Sequence, residues 1–185
     1  AQLKRFSFTQ PKMGSPFTIV FYSEDSIKAS LLAEQSFKLV DSFVFIFSDY
    51  IDSSELSKLS ATAGKDSAVS VSPAMFDMLL HAKKAFDKSE GAFDITIGPL
   101  SKFWRKLRKA KQFPADEAVQ ATRKLIGFNK LTMDTINKTV TLTQPGMQLD
   151  LGGIAQGYIA QKVIDFLSSR QIQHALVNAS GDIVV

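Results

Sequence analysis

The chain has 185 residues, of which 45% are hydrophobic and 22% charged, values that suit a folded globule and exclude a disordered chain. A net charge of +4 at pH 7 fits anionic ligands but is too small to mark a nucleic-acid binder. With no cysteine and only two histidines, His81 and His174, the chain has neither disulfides nor the makings of a zinc site.

The longest apolar run, Phe43 to Phe47, is far short of the ~20 residues that span a bilayer. No signal peptide is visible, although Ala1-Gln2 would suit a mature N-terminus left by cleavage.

Phe6 to Thr9 and Phe17 to Tyr22 read as strands, aromatic and β-branched, around a Pro/Gly-rich turn at Pro11 to Pro16. Ser23 suits an N-cap, with Glu24 and Asp25 in the first turn of a helix. Ile27, Leu31, Leu32, Leu39, Val40, Phe43 and Val44 then form one helix face running to about Phe47. Asp52 and Glu55 make a capping-box pattern for a short helix from Ser53 to about Ser60, and Ala61 to Ser70 reads as loop.

Ser72-Pro73 opens the next helix, which Phe76, Leu79, Leu80 and Phe86 carry inward and Gly91 ends. Ala92 to Ile97 is strand-like and stopped by Gly98-Pro99. A basic helix follows over Leu100 to Lys111, then another over Ala115 to Ile126 with Gly127 at its C′ position. Leu131 to Met133 and Thr139 to Thr143 pair as a hairpin.

An alternating run, Met147, Leu149 and Leu151, leads to Gly152-Gly153 and a helix reaching about Arg170. His174 to Val177 is a strand, Asn178 to Asp182 a turn, and Ile183 to Val185 the start of another strand. Hairpins and helices alternate without βαβ regularity. The class is therefore α+β, a mostly antiparallel sheet with helices packed on it.

The stretch Asp150-Leu151-Gly152-Gly153-Ile154-Ala155-Gln156-Gly157-Tyr158 carries the clearest chemical signal. Two glycines at a strand-to-helix junction admit a ligand close to the backbone and supply the φ a turn needs. The helix behind them points free N–H groups and its positive dipole end at whatever lies there, as a phosphate seat does. Asp150 adds a carboxylate that can accept from a ribose, a ring or a metal-bound water. The plain alternative is a chain reversal with Asp150 as its cap.

Other motifs are equally two-sided. Met13-Gly14-Ser15-Pro16-Phe17 is either a turn with an anchoring methionine or a thioether lying against a flat ring. Ser48 to Ser57 is rich in side-chain oxygens that suit helix capping, and Tyr50 within it can stack on a ring. Asp94, among apolar neighbours, either bonds a turn or faces a ligand, since unpaired charge is costly to bury. The Lys102 to Lys111 segment is either a solvated basic face or an anionic-surface binder. Asn178 to Asp182 is either turn chemistry or a set of amides beside the Asp150 bend.

Taken together and in order, these motifs resemble the ApbE family of FAD:protein FMN transferases: Met13 to Phe17, Tyr50 before Ser54-Glu55-Leu56-Ser57, Ala92 to Leu100, Asp150 to Tyr158 and Asn178 to Asp182. The resemblance implies an ApbE/T-fold-like single domain of which residues 1–185 are the N-terminal portion. It implies a Mg²⁺-dependent transferase that moves FMN from FAD onto a Thr or Ser hydroxyl of an acceptor protein and releases AMP. Some relatives hydrolyse FAD to FMN and AMP instead, and a non-catalytic FAD-binding module is a further alternative.

By position, Met13, Tyr50, Ala92, Phe93, Asp94, Asp150 and Gln156 would line the FAD site. Gly153 would give its carbonyl to Mg²⁺, with an Asp and a Thr ligand expected beyond Val185. Gln156 and Ser180 depart from the residues commoner in the family. A periplasmic or cell-envelope location, membrane association of the full-length protein and no nucleic-acid partner complete what the resemblance implies.

Overall fold

The computed structural model describes residues 2–185; Ala1, half of the Ala1-Gln2 reading above, lies outside the described residues. In chain order the elements are β1 (Lys4–Lys12), β2 (Ser15–Ser23), α1 (Ser26–Phe47), α2 (Glu55–Ser60), β3 (Val69–Ser70), α3 (Pro73–Lys88) and α4 (Gly98–Ala110). There follow α5 (Asp116–Arg123), a 3₁₀ turn (Phe128–Lys130), β4 (Leu131–Asp134), β5 (Thr139–Leu142), α6 (Ala155–Ser169), β6 (Ala175–Ala179) and β7 (Asp182–Val184). The strands form two antiparallel sheets, in the α+β class expected.

The chain divides into two compact units, one formed by the segment up to Val44 with Ile154–Val185, the other by Phe45–Gly153. In the first, the strand order is β1-β2-β6-β7. The alternation along β2 turns Phe17, Ile19 and Phe21 to one face, where each is all but fully buried. Each contributes roughly 1.5–3 kcal/mol of burial free energy. Ala29, Leu32, Phe37 and Val40 of α1 and Ile159, Val163 and Leu167 of α6 are buried in the same unit. The Phe37 ring meets Phe17 edge-on at 6.4 Å.

In Phe45–Gly153 the sheet order is β3-β5-β4. Its core collects Leu56 and Leu59 of α2, Met75, Met78 and Leu79 of α3, Val140 and Leu142 of β5, and Met147, Leu149 and Leu151. The last three alternate as a strand does, yet beyond a single parallel bridge between Gln148 and Ile97 they join no ladder.

Several local expectations shift. The α1 cap is Asp25, whose carboxylate accepts from the amide of Ile27 at 2.7 Å, so Glu24 and Asp25 precede the helix. The buried face of α1 is also rotated: Ile27 is 79% exposed, and Leu31 lies outside. The buried positions include the small Ala29, Ala33 and Ser36 and the large Phe37, none of them in the expected apolar set. For α2 the cap is Ser54, accepting from Ser57 N at 3.0 Å; Glu55 instead accepts from the amide of Ser72 at 2.6 Å. Within the expected loop 61–70, Val69 and Ser70 pair with β5.

Ala92 to Ile97, expected as a strand, is a turn. Asp94 Oδ1 accepts from both the amide (2.8 Å) and the hydroxyl (2.7 Å) of Thr96, closing the chain on itself. Gly98-Pro99, expected to stop a strand, instead starts α4, with proline where its missing N–H costs nothing. A Cβ on Gly98 would lie 2.4 Å from the Gln148 carbonyl oxygen, so only glycine permits this close passage.

Candidate functional site

In Phe45–Gly153 the sequence-predicted residues converge on the segment leading to the glycine pair. The amide of Asp150 donates to the Ile95 carbonyl at 2.8 Å, which ties the Ala92 to Ile97 turn to the Asp150 segment. Phe93 lies against Gly153, where a Cβ would come within 3.2 Å of its ring. Neither Gly152 nor Gly153 has a positive φ, so space and not backbone freedom explains the pair. Both are exposed, leaving the bend open.

Asp150 is firmly held. One carboxylate oxygen accepts from the amide of Gly152 at 2.9 Å, the other from the Ser101 hydroxyl at 2.6 Å. Arg105 Nη2 lies 3.7 Å from that second oxygen. Ser101 and Arg105 stand four residues apart on α4 and therefore share a face.

Arg105 also bonds the carboxylate of Asp49, whose side chain is only 8% exposed. Its guanidinium lies 4.3 Å from the centroid of the Tyr50 ring. The Asp49 hydrogen bond holds Arg105 protonated, above its ordinary value, against the opposing effect of partial burial, and Tyr50 adds to it. Tyr50 itself is 78% exposed. The arrangement is thus an open aromatic plane backed by a cation, next to an anchored carboxylate.

Met13 and Gln156 belong to the other unit. Met13 and Gly14, with φ of 53° and 79°, form the two-residue turn between β1 and β2. Ser180 and Gly181 make the matching turn between β6 and β7, and the Ser15 and Ser180 hydroxyls are hydrogen-bonded to each other. Asp182, just past that turn, sits 3.5 Å from where a Gly157 Cβ would project. The Met13 turn, the Asn178 to Asp182 turn and the first turn of α6, with Gln156, thus share one end of this unit. The α6 cap position, Ile154, makes no side-chain cap hydrogen bond.

Asp49, Ser101 and Arg105 escaped the sequence reading. The i, i+4 spacing of Ser101 and Arg105 was visible, but Arg105 lay within a lysine-rich run that reads as a solvated face. Its partner Asp49 is 56 residues away.

The Mg²⁺ expected from the resemblance does not fit the described residues by themselves. Among them no group of three or more His, Cys, Asp or Glu could hold a metal. Asp150, the nearest carboxylate in sequence to Gly153, already accepts on both oxygens and has a guanidinium beside it. A hard cation wants roughly six oxygens. Among the described residues no helix is long and apolar enough to cross a membrane.

Comparison with known proteins gives a consistent answer. Residues 13–185 match the ApbE family. The chain is 33% identical over 178 residues to the FAD:protein FMN transferase of Klebsiella pneumoniae (strain 342), covering 96% of this chain and 55% of that protein. Its fold matches the crystal structure of Pseudomonas stutzeri flavinyl transferase ApbE, apo form, with a TM-score of 0.86 at 28% identity, covering 98% of this chain and 58% of that one. For the flavin transferase ApbE from Vibrio cholerae the TM-score is 0.86 at 25% identity, with 97% and 58% covered. The chain thus spans a little over half the length of these relatives. With the match running through nearly all of its length, the chain belongs to the ApbE family.

Proposed function

We propose that this chain is the flavin-binding part of a transferase that moves FMN from FAD onto a Ser or Thr hydroxyl of an acceptor protein. Family membership supports this, and one arrangement carries it: the exposed Tyr50 plane, backed by Arg105, in the same side-chain cluster as Asp150 and its open glycine bend.

In this reading the free face of Tyr50 stacks on a flat ring of FAD. The Asp150 oxygens, each with a lone pair to spare, accept from FAD hydroxyls. Ala92, Phe93 and Asp94 line the site beside Gly153, and Met13 and Gln156 are further FAD contacts by their position in the family motifs. The open Gly152-Gly153 bend lets the diphosphate approach the main chain, where backbone donors stabilise the charge that develops.

The acceptor hydroxyl oxygen attacks the phosphorus on the FMN side. As the new P–O bond forms, the bond to the bridging oxygen breaks. AMP leaves with that oxygen, and the hydroxyl proton passes to water. Mg²⁺ belongs to the reading as a requirement to be tested, with the Gly153 carbonyl as the oxygen this chain offers by position. A periplasmic or cell-envelope setting and membrane association of the full-length protein belong to it as well, and cell fractionation tests both.

The decisive experiment incubates the protein with FAD, Mg²⁺ and a Ser/Thr acceptor peptide. AMP in solution together with FMN mass on the peptide supports transfer. AMP with only free FMN identifies hydrolysis instead. Binding of FAD with no AMP leaves a flavin-binding module, and failure to bind FAD overturns the flavin reading altogether.

A further inference from the structure

We propose that Arg105 is a positioning residue for flavin binding, fixing the plane of Tyr50 so that the open face of the ring is ready for a ligand. The proposal rests on the flavin reading of this site and adds a residue that the sequence motifs did not single out.

An aromatic ring that is 78% exposed and carried by a loop has little of its own to hold it. Ordering such a side chain on binding costs conformational entropy. Here the cost is met in advance. Arg105 projects from α4, its side chain only 21% exposed, and lays its guanidinium 4.3 Å from the Tyr50 centroid. The guanidinium is itself held by the largely buried carboxylate of Asp49, the residue preceding Tyr50, and its Nε points to the Ser101 carbonyl at 3.4 Å. The loop and the helix are thus joined through one planar group. One face of Tyr50 is covered by it.

The geometry demands arginine. A guanidinium can stack on a ring through its flat face while donating in its own plane to a carboxylate. An ammonium is a point charge and cannot do both. Lysine would keep the charge balance with Asp49 yet release the ring.

The test measures FAD affinity by calorimetry for the wild type, Arg105→Lys, Asp49→Asn, Tyr50→Ala and the Tyr50→Ala/Arg105→Lys double variant, with urea unfolding of each. Arg105→Lys is expected to weaken FAD binding about tenfold, and Asp49→Asn to act in the same direction by freeing the guanidinium. On the Tyr50→Ala background, Arg105→Lys should change affinity less than twofold, because there is no ring left to position. An arginine with only a structural role would instead lower the urea midpoint and leave the affinity of the folded protein unchanged.

Wild-type binding of FAD with an unaffected Arg105→Lys variant overturns this proposal alone. So does a loss that persists undiminished without Tyr50. A wild type that binds no FAD overturns the flavin reading and this proposal with it.

Discussion

Phe93 lies so close to Gly153 that a Cβ there would come within 3.2 Å of the ring. The contact is with a side chain, so it can yield by a few tenths of an ångström. Gly153→Ala should therefore cost about 1 kcal/mol, as modest overpacking does. Urea denaturation of Gly153→Ala and of Gly153→Ala/Phe93→Leu tests this, and the smaller neighbour is expected to restore part of the loss.

Gly98 offers the contrasting case. Its missing Cβ would sit 2.4 Å from a backbone oxygen, that of Gln148, and the neighbouring carbonyl carbon is no further than 2.6 Å. Backbone cannot swing away as a ring edge can. Gly98→Ala should destabilise the protein by about 3 kcal/mol, the upper end of what overpacking costs. A urea midpoint no lower than that of Gly153→Ala would show that α4 shifts freely at this point.

Asp150 should be more than a local cap. Its two oxygens hold the Gly152 amide and the Ser101 hydroxyl. Ser101→Ala removes one of these bonds and should cost about 1 kcal/mol of stability, with modest effect on FAD. Asp150→Ala strands both donors and removes the carboxylate itself. It should weaken FAD binding by more than Ser101→Ala, as read by titration calorimetry on both variants.

At the tip of the β4–β5 hairpin, Asp134 has its carboxyl held below the usual range. The backbone N–H of Asn137 is the main cause, followed by the Asn137 side chain and the amide of Ile136. A carboxyl with a depressed folded pKa adds stability above its unfolded value and loses it as pH falls through the folded one. Asp134→Ala should therefore flatten the acid limb of a stability-against-pH curve while shifting the curve least at the lowest pH. Urea midpoints between pH 7 and pH 2 for both proteins provide the measurement.

Aromatic residues here differ sharply in what they hold. Phe17 is 1% exposed and meets Phe37 edge-on, so Phe17→Ala should cost about 3–5 kcal/mol. Phe113 is 89% exposed, and Phe113→Ala should remain within about 0.5 kcal/mol of the wild type. Equal effects in thermal unfolding would contradict the placement of the core.

What the sequence determined was whatever depends on near neighbours. The β1–β2 hairpin, the Ser72 cap with Pro73 behind it and the β4–β5 hairpin all follow from spacing and turn chemistry. The ApbE resemblance was legible for the same reason, since its motifs are local runs.

Tertiary structure decided the rest. Ala92 to Ile97 has the composition of a strand, yet Thr96 closes it around Asp94 and the chain turns. On α1 it is Ala29 and Ala33 that are buried and the more hydrophobic Ile27 and Leu31 that are exposed, an outcome hydrophobicity along the helix does not predict. Arg105 looked like one cation in a basic helix. Its role appears only when Asp49, Tyr50 and Asp150, distant along the chain, meet one guanidinium. A side chain's spacing fixes the face it shares, but packing between remote segments fixes what that face meets.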